Sequence, residues 1–148
     1  MTSAPAPPPD PFALLEQDHR DIDQLLEDLA GAGSDDERQE VLGRLQQTLS
    51  VHFDFEESEI YPLIARLVGA PQADDRHAED KAVREALARL DPLPQDEQYV
   101  GAVEDLRTAL ERHAEIETEL FPRLRDEVGI GEQEHLSASL LVLREATL

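Results

Sequence analysis

Apolar residues recur every three or four positions along most of the chain, the period of an α-helix with one buried face. The first run, Phe12, Leu15, Ile22, Leu26 and Leu29, predicts a helix over about 11–30. Asp10-Pro11 reads as an N-cap followed by proline at the first helical position, and Gly31 and Gly33 end the run. Ser34 with Glu37 forms a capping box that opens a second helix. That helix carries Val41, Leu45, Leu49 and Leu63, fades near Gly69, and should kink at Pro62. A third helix starts at Pro71, places Val83, Leu87 and Leu90 on one face, and is broken by Asp91-Pro92-Leu93-Pro94. The fourth spans about 96–128 on the stripe Val103, Leu106, Leu110, Leu120 and Leu124, with Pro122 interrupting it late. Gly129 and Gly131 then set off a short C-terminal helix bearing Leu136, Leu140 and Leu143.

Little alternation of period two appears and no Asn-Gly hairpin turn, so strands are not expected. Amphipathic helices joined by short connections predict an all-α fold, an antiparallel up-down-up-down four-helix bundle with a short extra C-terminal helix. Pro5, Pro7, Pro8 and Pro9 cannot share a helix, which makes 1–10 a disordered, proline-rich tail. The bundle is expected over 11–128, with 129–148 packing on it. A chain of 148 residues suffices for one domain with a real core. With aromatics at 4%, that core must be mostly aliphatic.

The seams also carry groups that do not belong in a core. In the fourth helix His113 and Glu117 continue the spacing of 103, 106, 110, 120 and 124, between Leu110 and Leu120. In the second helix His52 and Glu56 follow Leu45 and Leu49 and precede Leu63. In the first, His19 stands between Leu15 and Ile22. A His and a Glu four residues apart lie one turn apart on the same face. The two helices resemble each other further. One reads His52-Phe-Asp-Phe-Glu56 and then Ile60-Tyr61-Pro62; the other reads His113-Ala-Glu-Ile-Glu117 and then Leu120-Phe121-Pro122. The distance from histidine to proline differs by one residue.

A buried carboxylate costs several kcal/mol unless it is paired or metal-bound. Few Lys or Arg lie on these seams, and one shared cation would satisfy all five groups. Composition points the same way. The net charge of −21 repels phosphate backbones and anionic membranes, so neither nucleic acid nor membrane is expected as a partner, and cations are the natural counterpart. The chain has no cysteine, which excludes disulfides, thiolate metal sites and cysteine nucleophiles. Imidazole and carboxylate remain, a donor set suited to iron, manganese or zinc. No stretch reaches the length of a membrane span and no signal-like segment opens the chain, so a cytoplasmic protein is expected. The third helix offers His77, at the flank of its apolar face, and Asp80, nearer the centre, as a possible oxygen ligand. His135, on the last helix, is expected at the surface.

The combined pattern resembles the hemerythrin-like, HHE cation-binding family. The resemblance covers about 12–128. It rests on Asp18-His19 with Ile22, on His52-x-x-x-Glu56 with Ile60-Tyr61-Pro62, and on His113-x-x-x-Glu117 with Leu120-Phe121-Pro122. It implies a non-haem di-iron site, two iron ions bridged by an oxo or hydroxo group and by Glu56 and Glu117. His19, His52, His77 and His113 would be the terminal ligands, and dioxygen or a similar small molecule the partner. The chain departs from the family on the third helix, where members usually carry histidine at the place of Asp80 or Lys81.

The function expected is therefore a metal- and oxygen-binding protein, a carrier, sensor or store, acting as a monomer or weak homo-oligomer. The alternative is a di-iron oxidase or peroxidase-like enzyme of oxidative-stress defence. A ferritin-like carboxylate site would use Glu-x-x-His pairs, which Glu16-x-x-His19 and Glu132-x-x-His135 match in spacing, although the second lies off the four main helices.

Overall fold

The structure is a computed structural model that describes residues 10–90 and 97–146. Residues 1–9 of the tail predicted over 1–10, and the predicted break at 91–94, lie outside the described residues. The described elements are α1 (Pro11–Ala30), α2 (Asp35–Phe55), a π-helical turn (Glu56–Ile60), α3 (Tyr61–Leu67), α4 (Ala70–Leu90), α5 (Glu97–Glu127) and α6 (Ile130–Ala146). Among the described residues there is no strand.

The starts of the first two helices follow from their caps. Asp10 accepts the Phe12 N–H through Oδ1 (2.9 Å), and Pro11 opens α1 without wasting a donor. Ser34 Oγ accepts the Glu37 N–H (3.2 Å), while Glu37 Oε2 reaches back to the Gly33 N–H (3.0 Å). The short Val68-Gly69 link between α3 and α4 uses Gly69 at φ 153°, a conformation that side chains other than glycine rarely adopt.

The second predicted helix proves to be two helices joined by the π-turn. The break comes before Pro62 and not at it. Proline at 62 cannot donate to the Ser58 carbonyl, and its ring would clash there in a regular α-helix. The chain widens by one residue instead: Tyr61 N–H bonds Glu56 O, and Ser58 Oγ donates to the carbonyls of Asp54 (2.9 Å) and Phe55 (3.2 Å). Pro62 then falls in the first turn of α3, where a missing N–H costs nothing. This accounts for the one-residue difference between the two similar motifs. The extra residue between Glu56 and Ile60 is absorbed by the π-turn, whereas α5 accommodates Pro122 without one.

Helix α1 packs on α2 and α5, α4 packs on α5 and α3, and α6 lies against α1 and α2. The apolar side chains divide into two clusters. One holds Phe12, Leu15, Phe55, Ile60, Tyr61 and Phe121, with Leu136 and Leu140 of α6. The other holds Ile22, Leu26, Leu45, Leu49, Leu106 and Leu110 among others. Two seam positions differ from expectation: Leu42 is buried where Val41 is half-buried, and Phe121 is buried where Leu120 is half-buried. Phe121 follows Glu117 by four residues, one full turn on the same face. No helix among the described residues is long and apolar enough to cross a membrane.

Candidate metal centre

Between the two apolar clusters lies a layer of polar side chains. It is built at the places where the seams of α1, of α2 with the π-turn that follows it, and of α5 carry His or Glu instead of an aliphatic residue. His52 and Glu56 are 0% exposed, His113 and Glu117 1%, and His19 8%. These five residues face one another. His52 Nε2 lies 2.7 Å from Glu56 Oε1 and 3.4 Å from Glu117 Oε1. His113 Nε2 lies 3.1 Å from Glu56 Oε1 and in close contact with Glu117 Oε1. His19 Nε2 is 3.5 Å from Glu117 Oε1. The three imidazole centroids are 5.1, 5.6 and 6.0 Å apart. One donor atom from each of His19, His52, His113 and Glu117 lies within 4.8 Å of all the others. Phe53 meets His113 edge-on at 5.3 Å and Phe121 stacks on His19 at 6.3 Å, so the walls of the layer are apolar.

The charges in this layer are strongly coupled. Burial works against a charged His52, but the Glu56 carboxylate and hydrogen bonds to Asp18, Glu117 and Glu56 outweigh it and hold its pKa well above the ordinary histidine value. His113 is raised in the same way: burial opposes the charge, and Glu117 and Glu56 overcome it. The two carboxyls diverge. Burial and the neighbouring Glu117 charge push Glu56 up. Burial acts on Glu117 as well, but the His113 charge and hydrogen bonds from Glu56, His113 and His19 outweigh it and hold Glu117 well below the usual range. Protons thus stand among these donors where a cation would otherwise balance the carboxylates.

The outer side of two histidines is also built. His52 Nδ1 donates to Asp18 Oδ2 (2.9 Å). His113 Nδ1 faces Glu79 Oε1 (3.8 Å) and Asp80 Oδ1 (4.0 Å) on α4. Asp80 is 1% exposed, accepts the Tyr61 hydroxyl (2.7 Å), and is pushed up to about 7 by burial, against the pull of that hydrogen bond. Asp80 therefore stands behind His113, on its Nδ1 side, and outside the four-residue donor group. His77, expected as a terminal ligand, is not among the side chains that meet in the layer. The inward positions of α4 are Ala73, Arg76, Asp80 and Val83. His77 is one residue out of phase with them, exposed, with its ring edge-on to Tyr61 at 4.8 Å. His135 is exposed, and Glu132 pairs with Arg66 (3.0 Å), so the second Glu-x-x-His pair has no part in the layer.

Three participants were assigned no part in the site from the sequence, although Asp18 stands in one of its motifs. Asp18 was legible, since it shares the seam of Leu15 and Ile22 and is itself polar. Arg76 also lies on a seam, but only the inward phase of α4 reveals it. Glu79 gains its meaning from Arg76, whose guanidinium donates to both of its oxygens (2.9 and 2.6 Å). Beside Glu79 a groove of ≈ 800 Å³ opens between α4 and α5, lined by Arg76, Glu79, Ala82, Val83, Arg112 and Ile116 among others.

Three imidazoles and two carboxylates without sulfur suit a borderline or hard cation such as iron, manganese or zinc. The loose ends of the layer suit one too. Nδ1 of His19 and the Oε2 atoms of Glu56 and Glu117 are buried with no hydrogen-bond partner, and such groups cost about 1–3 kcal/mol each. The family model for the hemerythrin HHE cation-binding domain matches residues 10–135. The chain belongs to the hemerythrin HHE family. No curated protein and no solved structure matches it significantly. The hemerythrin match runs through α1 to α5 and reaches the first turns of α6, and it takes in all five donors of the layer. A His/Glu metal site is what the family and the geometry share.

Proposed function

We propose that the chain is a non-haem iron protein of hemerythrin type, with His19, His52, Glu56, His113 and Glu117 as ligands. The observation that carries this reading is the convergence of five donor side chains from separate helical segments into one dry layer. In this reading the helices form an antiparallel up-down-up-down bundle, and Glu56 and Glu117 would be the carboxylate ligands of a di-iron site. Iron bound there would supply reversible redox chemistry and positions for a small ligand such as dioxygen. The groove beside Glu79 supports an approach for such a ligand from between α4 and α5. The protein would work as a soluble cytoplasmic monomer or weak homo-oligomer.

The donor set favours iron handling or sensing over simple oxygen carriage. Helix α4 brings Arg76 and Asp80 to its inward face instead of histidines, so three imidazoles stand where the family resemblance implied more. An oxygen-rich set of this kind also keeps the second reading open, a di-iron oxidase or peroxidase-like enzyme. Iron analysis with an absorption spectrum tests the main claim. Two irons per chain are expected in the wild type, and loss of both the iron and its near-ultraviolet bands in His113→Ala. An iron-free wild type after loading would end this reading. Mixing the ferrous protein with air separates the two functions: a spectral change reversed by removing oxygen supports binding, and sustained consumption of added peroxide supports catalysis.

A further inference from the structure

His52 and His113 are supported alike. Each points Nε2 at the shared carboxylates and Nδ1 at an outer carboxylate that is itself held by an arginine. For His113 the line is Glu79 and then Arg76, both on α4, and its first link is open at 3.8 Å. For His52 both links are closed. Nδ1 donates to Asp18 Oδ2 at 2.9 Å, and Arg144 donates to Asp18 Oδ1 at 2.6 Å. Arg144 also donates to the Leu14 carbonyl (3.3 Å), which fixes the guanidinium against α1. Asp18 is 6% exposed and spends one oxygen on each neighbour.

Arg144 belongs to the last turn of α6, a helix outside the four that carry the motifs. An outer carboxylate that holds one ring nitrogen of a ligating histidine fixes the ring and strengthens the other nitrogen as a donor. A carboxylate held only on one side can swing; Arg144 removes that freedom. From this we infer that Arg144 and Asp18 are positioning residues of the metal centre, and that α6, through the Arg144 guanidinium on Asp18, sets how tightly His52 holds the metal. The inference rests on the metal-binding reading above.

Cobalt(II) loading of the full chain tests it, with two readouts: the rate of metal loss to a chelator, and the shifted exchangeable N–H proton resonances of the ligating imidazoles. Arg144→Leu is expected to lose cobalt about tenfold faster, and one imidazole N–H signal should exchange with solvent and fade. Arg144→Lys should restore much of both. Arg66→Leu is the control. It removes another ion pair that fastens α6, Arg66 to Glu132 at 3.0 Å, and should leave both readouts at the wild-type values. Wild-type release and an intact N–H spectrum in Arg144→Leu would overturn the inference. So would equal effects of Arg144→Leu and Arg66→Leu, which would mark general loosening of α6. If Arg144→Leu does not fold, Arg144→Gln carries the same prediction and the same refutation. A wild type that takes up no cobalt would remove the metal reading and this inference together, whereas normal uptake with an unaltered Arg144→Leu removes the inference alone.

Discussion

Glu56 and Glu117 are chemically identical, almost equally buried and both in contact with His52 and His113, with His19 beside Glu117 alone, yet they are driven in opposite directions. Two carboxylates this close repel each other's charge, so burial and the Glu117 charge push Glu56 up, while the His113 charge and hydrogen bonds hold Glu117 down against burial. Against the pull of burial, the same carboxylates hold protons on His52 and His113. A metal ion entering the layer must displace them. Raised pKa values mean that protons compete most at low pH, so metal affinity should climb as pH rises, by about tenfold per pH unit for each proton displaced. Competition with a chromophoric chelator between pH 6 and 8 reads the slope, and a pH indicator reads the protons released. A flat profile would contradict the coupling. For the metal-free chain the sign is the reverse. The raised histidines stabilise it fully below their ordinary pKa of about 6.5, and that contribution is lost as pH rises through their folded values.

At the scale of the helix, the π-turn is the informative element. It begins at Glu56, one of the five inward donors, and it takes up the one residue by which the His52 motif exceeds the His113 motif. Deleting Ser58 should bring Pro62 to the same distance from His52 as Pro122 is from His113. The turn would then close into a plain α-helix, as α5 already does around its own proline. Such a deletion is expected to fold, to keep His52 and Glu56 in the layer, and to cost at most about 1–3 kcal/mol, the scale of a few altered hydrogen bonds. Urea unfolding together with metal stoichiometry would check it. Loss of metal binding with an intact fold would show that the π-turn itself aims Glu56. Much of this level was readable in the sequence. The caps at Asp10 and Ser34, the seam of α1 and the pairs His52/Glu56 and His113/Glu117 all follow from period and phase. The π-turn was not read, although the one-residue mismatch announced it, because prolines mark where a helix is disturbed and not how the backbone answers. On α4 the weak apolar stripe left the phase open, so His77 drew attention and Arg76 did not. Arg144 was beyond reach, since its partner Asp18 lies in the first helix and nothing local links them.

The whole molecule joins a strongly acidic chain to an internal layer of donors in which protons and a cation compete. A metal bound only by the folded state should stabilise it, by about 2.7 kcal/mol when free metal is a hundredfold above the dissociation constant. How that stability is distributed follows from the two apolar clusters on either side of the layer. Each end of the bundle has its own oily filling, and the middle has the ligands. Stripped of its ion, the protein should be weakest at its waist. Backbone amides around His52 and His113 should then exchange their hydrogens sooner than those near Leu26 or Leu136, and added metal should slow them most. A bundle that frayed from its ends in both forms would refute this. The molecule would thus behave less like a rod with a cofactor inside than like two short rods clasped end to end, with the cation as the clasp.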